Sequence, residues 1–225
     1  MSALSAFRTT GRKIVAIGRN FADHAKELGN AVPTKPMFFL KPTSSYRPAG
    51  QPITIPAQCD VHHEVELGVV IGKRATQVPE AQAMDHVAGY TLAIDLTARD
   101  LQEKAKKAGM PWSVAKGFDD FTPVTEAVGK AQIKDPNNVR LWLKVNGQVR
   151  QDGSTKDFIF QIPRLISHVS QIMTLEEGDV ILTGTPKGVA SIKAGDSIEA
   201  AIESEGKRVL HGAWTVKSRK VEAEL

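Results

Sequence analysis

The segment at 61–71, VHHEVELGVVI, constrains this chain more than any other stretch. Val65, Leu67 and Val69 recur at every second position, the spacing of one face of an extended strand. His62, Glu64 and Glu66 then fall on the other face. The flanking residues are strongly apolar, which predicts a central strand rather than an edge. Two carboxylates two residues apart on a strand are about 7 Å apart by strand rise. When buried, each raises the pKa of the other. The spacing leaves two readings open: a solvated strand face, or a carboxylate pair whose repulsion a shared cation removes.

A third carboxylate strengthens the cation reading. Asp95 follows the apolar run at 87–94 and precedes Thr97 and Arg99. A carboxylate there is either a ligand or catalytic group, or the cap of the next helix. The chain has one cysteine, Cys59, and so no cysteine cluster to favour a softer metal. Three carboxylates suit a hard cation, and Mg²⁺ or Mn²⁺ is the expected metal. His24 and Glu27 form an HxxE pair, neighbours on a helix. They read as a surface ion pair or as an imidazole general base oriented by a carboxylate. Lys116, in WSVAKGFDDF, is a surface lysine or a group that polarises a carbonyl. LTGTPKG at 182–188 lacks the spacing of a phosphate loop, yet its backbone N–H groups and Thr185 can receive a carboxylate.

The rest of the chain reads as strands with few helices. Strands are predicted at 14–17, 37–40, 53–55, 87–96, 179–183, 197–202 and 208–216. A hairpin is predicted at Asn146-Gly147, between 141–145 and 148–151. Helices are predicted at 21–28 behind an Asn20 cap, at 80–85, and from Thr97 or Asp100 to Ala108. A further helix lies within 158–173, starting late or bending at Pro163. The fold class is mixed, strand-rich α+β. Residues 13–225 make one catalytic domain, a length that one core can serve. Residues 1–12 read as a flexible start or a short targeting segment. No acidic residue precedes Asp23, whereas Arg8, Arg12, Lys13 and Arg19 do, a mitochondrial presequence composition.

Composition excludes several classes. No apolar run approaches the roughly 20 residues of a membrane helix. The net charge of +4 is spread among acidic residues, and aromatics are 6 %, so no basic, aromatic-interleaved stripe for nucleic acid exists. One cysteine permits no intrachain disulfide, which fits a reducing compartment.

The strings GRNFADHAKE, FLKP, HHEVELGVVIG, AIDLTARDLQ, GMPWSVAKGFD, LWLKVNGQVRQ and LEEGDVILTGTPKGV occur in that order. Together, across about 13–214, they resemble the fumarylacetoacetate hydrolase superfamily, and within it the acylpyruvase branch. The resemblance implies a β-roll-like mixed fold that forms a homodimer. It implies Glu64, Glu66 and Asp95 as ligands of Mg²⁺, with Mn²⁺ as substitute. It implies His24 and Glu27 as a catalytic dyad on a segment that orders over the substrate, and Lys116 as the catalytic lysine. Arg19, Arg99, Gln102 and Thr185 would contact a small 2-oxo acid. The compartment would be mitochondrial in a eukaryote and cytoplasmic otherwise. The expected reaction is hydrolysis of the C3–C4 bond of 2,4-diketo acids such as acetylpyruvate and fumarylpyruvate. Its alternative is decarboxylation or tautomerisation of oxaloacetate through a related enolate. Hydrolysis is placed first because the His–Glu pair is the water-activating base that it requires.

Overall fold

A computed structural model describes residues 2–22 and 33–222. Its strands are β1 (Ile14–Gly18), β2 (Met37–Lys41), β3 (Tyr46–Pro48), β4 (Ile53–Pro56), β5 (Val61–His63), β6 (Val65–Ile71), β7 (Val87–Ile94) and β8 (Thr97–Ala98). There follow β9 (Thr122–Val124), β10 (Val128–Gly129), β11 (Arg140–Val145), β12 (Gln148–Ser154), β13 (Val180–Leu182), β14 (Ala190–Ser191), β15 (Ser197–Ser204) and β16 (Lys207–Arg219). The helices are α1 (Ala3–Thr10), α2 (Arg99–Ala108), α3 (Ser113–Lys116) and α4 (Ile162–Ile172). The architecture is the strand-rich α+β roll expected from the sequence.

The largest sheet runs β2-β1-β13-β6-β7-β9-β3, with β10 on β7. It mixes parallel and antiparallel pairs: β1 lies parallel to β13, and β6 antiparallel to both β13 and β7. A second sheet runs β12-β11-β15-β16-β4, and a small third one β14-β5-β8. Every residue of β6 is buried, as a central strand covered on both faces requires. Val65, Leu67, Val69 and Ile71 join the main core. Val70, on the opposite face, joins a smaller cluster with Ile14, Val180 and Phe7.

Phe7 belongs to α1, so Ala3–Thr10 form a helix rather than a flexible start. Ala3, Ala6 and Phe7 are buried, and Phe7 meets the Tyr46 ring edge-on at 5.6 Å. Helical spacing of these apolar residues was present in the sequence, but basic and hydroxyl residues dominated the composition. The helix expected to run to Ala108 is α2, the one expected at 80–85 is a 3₁₀ helix at Glu80–His86, and α3 was not anticipated. α4 begins beside Pro163, where a missing N–H costs no hydrogen bond. The Asn20 side chain joins distant segments: its amide donates to the Phe160 and Thr183 carbonyls and its Oδ1 accepts from Phe160 N. Most of the expected helix at 21–28 lies outside the described residues.

The Asn146-Gly147 hairpin forms as predicted, with φ of 52° and 77° at the two turn residues. A Cβ at Gly147 would meet nothing within 4 Å. Gly147→Ala should therefore destabilise through backbone conformation alone, by about 1–2 kcal/mol. Urea denaturation measures this, and an unchanged midpoint would contradict it.

The segment at 61–71 departs from the sequence reading in one informative way. It is two strands, broken at Glu64: β5 belongs to the small sheet and β6 to the large one. The chain makes the same switch between β7 and β8, at Asp95 and Leu96. The two breaks are tied together, because Asp95 N–H donates to the Glu64 carbonyl at 2.8 Å. Where two adjacent strands leave one sheet for another, their side chains no longer pack against a continuous neighbour, and a cavity opens.

Candidate active site

Three carboxylates converge at this break. Glu64, Glu66 and Asp95 each offer an oxygen within 4.8 Å of the others, and all three side chains are buried. Glu64, at the break between β5 and β6, and Glu66 on β6 supply the first two, and Asp95, just past the end of β7, supplies the third. Asp95 caps no helix. Its Oδ1 accepts from Lys41 Nζ at 2.6 Å and its Oδ2 from Lys116 Nζ at 2.6 Å. Lys116 also reaches Glu64 Oε2 at 3.1 Å and lies 4.7 Å from the Phe39 ring centroid. Glu64 Oε1 accepts from Arg99 and from Thr97 Oγ1.

The cations and carboxylates are unequally matched. Burial works against the charge of Lys116, yet Asp95 and Glu64 outweigh it and raise the lysine's pKa. Burial lowers that of Lys41, which faces one carboxylate and also feels Lys116. All three protons of the Lys41 ammonium are nonetheless engaged, at Asp95 and at the Leu96 and Phe121 carbonyls. Glu66 is the least compensated. Burial, then Asp95 and Glu64, push its pKa well above the carboxylate range, against one N–H from Gly184 at 2.7 Å. Gly184 is fixed by geometry: its φ is 101°, and a Cβ there would come within 2.7 Å of Asn20 Cβ. This oxygen-only donor set, with an under-compensated carboxylate at its centre, fits a divalent cation with Glu64, Glu66 and Asp95 as ligands.

A cavity of about 50 Å³ opens on the carboxylates. Arg19, Arg99, Gln102, Lys116 and Thr185 all line it, so each described residue expected to contact metal or substrate is brought to one place. His24 and Glu27 lie outside the described residues. Arg19 sits at φ 59°, an uncommon conformation for a residue with a side chain and one that clusters at functional sites. Arg99 is occupied in holding Glu64 and Gln102 Oε1. The Thr185 hydroxyl donates to the Val65 carbonyl at 2.8 Å and accepts from Gln151 Nε2 at 2.8 Å. It must exchange that donor bond to serve a substrate.

The sequence reading missed several members of this site. Lys41 ends the apolar strand β2, and a lysine at such a place is itself a signal of a buried partner. Gln151 was visible only as a strand residue. It accepts from Val65 N–H and from His63 Nδ1, and it donates to Thr185 and to the Pro186 carbonyl. Burial pushes the His63 pKa down. The neutral ring therefore carries its proton on Nδ1, because Gln151 Oε1 can only accept. Glu103 and Lys106 on α2 also line the cavity.

Among the described residues no helix is long and apolar enough to cross a membrane. The family model of the fumarylacetoacetate hydrolase C-terminal domain matches residues 13–210. The chain is 57 % identical over 201 residues to the mitochondrial oxaloacetate tautomerase FAHD1 of Mus musculus, covering 89 % of this chain and 91 % of that protein. It is 55 % identical over 201 residues to a mitochondrial oxaloacetate decarboxylase of Dictyostelium discoideum, covering 88 % and 92 %. Among solved structures, the fumarylpyruvate hydrolase of Pseudomonas aeruginosa, in complex with Mn²⁺ and pyruvate, is 32 % identical with a TM-score of 0.87, covering 93 % and 91 %. By sequence and by fold, the chain belongs to the fumarylacetoacetate hydrolase family.

Proposed function

We propose that this chain is a divalent-metal-dependent enzyme of oxaloacetate, interconverting its enol and keto forms, with Mg²⁺ as the working ion and Mn²⁺ as a substitute. The observation that carries the reading is the convergence of Glu64, Glu66 and Asp95 beneath the Lys116 ammonium in one small cavity. The choice among reactions follows the relatives. The two relatives described above, named for oxaloacetate chemistry, are 57 % and 55 % identical, whereas the fumarylpyruvate hydrolase is 32 % identical. This favours the alternative over acylpyruvate hydrolysis, which the sequence reading had placed first.

A cation held by the three carboxylates would act as a Lewis acid toward a 2-oxo acid and make the protons at C3 more acidic. The remaining work falls to side chains. Tautomerisation moves one proton between C3 and the 2-oxygen. Lys116, held protonated by its carboxylates, is placed to stabilise negative charge that develops on that oxygen. His24, oriented by Glu27, is the proposed base at C3. Arg99 keeps Glu64 in place and leaves Arg19 and Gln102 to position the substrate. Decarboxylation is a second reading, favoured by the Dictyostelium relative: loss of CO₂ from C3 leaves a related enolate and needs no attacking water.

The test is a three-way assay of the full chain with Mg²⁺ and with EDTA. It follows ketonisation of enol-oxaloacetate, CO₂ release from oxaloacetate, and cleavage of acetylpyruvate. Ketonisation should show the largest metal-dependent rate, and EDTA should remove it. Faster cleavage of acetylpyruvate would return the chain to the hydrolases.

A further inference from the structure

Four carboxylates and four cations line the cavity, and Lys41 stands behind it. A bound divalent cation would leave this wall with a clear positive excess. An occupant of matching charge carries more than one negative charge, and the metal end can take only one carboxylate of a short 2-oxo acid. The second carboxylate needs its own cation. Lys116 and Arg99 are committed to Glu64 and Asp95, and Arg19 is assigned above to positioning the substrate. One turn beyond Gln102, Lys106 also lines the cavity, and its Nζ is paired with Glu103 Oε1 at 2.8 Å.

Positions 99, 102, 103 and 106 are spaced i, i+3, i+4 and i+7, one face of α2. The Lys106 Cα lies roughly 10 Å along the helix from that of Arg99. Side chains on a helix lean toward its N-terminus, so Lys106 leans back toward the metal end. The Glu103 pairing shows that lean, because its partner is three residues upstream. Glu103 keeps Lys106 neutralised yet only partly shielded: their side chains are 47 % and 35 % exposed.

We propose that Lys106 is the specificity-determining residue that receives the distal carboxylate of a C4 2-oxo dicarboxylate, exchanging Glu103 for it. The proposal rests on the assignment of oxaloacetate chemistry above, and it names the residue that separates a dianion from a monoanion of similar size. Glu103 competes for the same ammonium and so sets how strongly the dianion is preferred.

The test compares wild type with K106M, E103Q and the control K104M, which removes the same charge from a residue that does not line the cavity. All are full chains with Mg²⁺. Two ratios are read: kcat/KM for oxaloacetate over acetylpyruvate, and calorimetric affinity for 3,3-difluoro-oxaloacetate over pyruvate. K106M should lower both ratios roughly five- to tenfold, the scale of a lost charged contact at a partly exposed rim. E103Q should raise them about twofold, and K104M should leave them as they are. Equal ratios in wild type and K106M, or the same fall in K104M, would overturn the proposal. If no 2-oxo acid turns over but the binding ratio still falls in K106M, the assigned reaction fails while recognition by Lys106 stands.

Discussion

Asp95→Asn is expected to lose metal-dependent turnover by about 10³-fold or more and to destabilise the protein at the same time. The first effect follows from removing one of the three proposed ligands of a cation whose Lewis acidity would be worth several kcal/mol. The second follows from the two lysines that share this carboxylate, Lys41 on Oδ1 and Lys116 on Oδ2. An amide can still accept from one of them, but its N–H₂ then faces the other. Lys116 keeps Glu64. Lys41 keeps only backbone carbonyls, and a buried ammonium deprived of its anion costs about 3–5 kcal/mol. For a chain of this size that lowers Tm by roughly 6–20 °C. Two measurements separate the effects. Mg²⁺ should raise the Tm of wild type and leave that of Asp95→Asn unmoved. Adding Lys41→Met should recover part of the lost stability without recovering turnover, because it removes the orphaned charge and not the missing ligand. A Mg²⁺-dependent rise in the Tm of Asp95→Asn would remove Asp95 from the ligand set.

What was legible in the sequence, and what was not, divides along a physical line. Glu64, Glu66 and Asp95 could be found because each interrupts an apolar strand pattern, and a carboxylate in such a place needs a reason. The hairpin was legible because Asn146-Gly147 supplies two left-handed residues in succession. The break at Glu64 was not. A strand that changes sheets keeps its alternation on both sides, and nothing local records the switch. Lys41 was overlooked because its partners are 54 and 80 residues away. Pattern reading registers a lone lysine as surface, and only tertiary structure supplies the three acceptors. Gln151 escaped for the same reason. The helix at α1 was hidden by composition: charge and hydroxyl content outweighed apolar residues whose spacing did fit a helix. The order of reactions was beyond the residues altogether, since one carboxylate triad and one lysine serve hydrolysis, decarboxylation and tautomerisation alike.

Glu66→Gln should act on stability with the opposite sign to Asp95→Asn, although both residues belong to the same triad. Glu66 has no lysine of its own. In the metal-free protein its carboxylate is buried beside Glu64 and Asp95, and its pKa is raised above the unfolded value of 4.5. Between the unfolded and the folded pKa the native state holds a proton that the unfolded chain has released. Stability therefore falls as pH rises through that window, and the deficit is complete above the folded pKa. Glutamine carries no such charge. Its Oε1 can still accept the Gly184 N–H, and its amide protons face the carboxylates of Glu64 and Asp95. In EDTA the variant should match wild type below about pH 4.5 and exceed it at neutral pH by roughly 1–3 kcal/mol. Mg²⁺ should reverse the ranking, because binding neutralises Glu66 in wild type and finds one carboxylate fewer in the variant. Urea denaturation across pH, with EDTA and with Mg²⁺, reads all of this in one series. A variant less stable than wild type at neutral pH in EDTA would mean that Lys116 and its neighbours already compensate Glu66, and the main structural argument for a cation at this site would be lost.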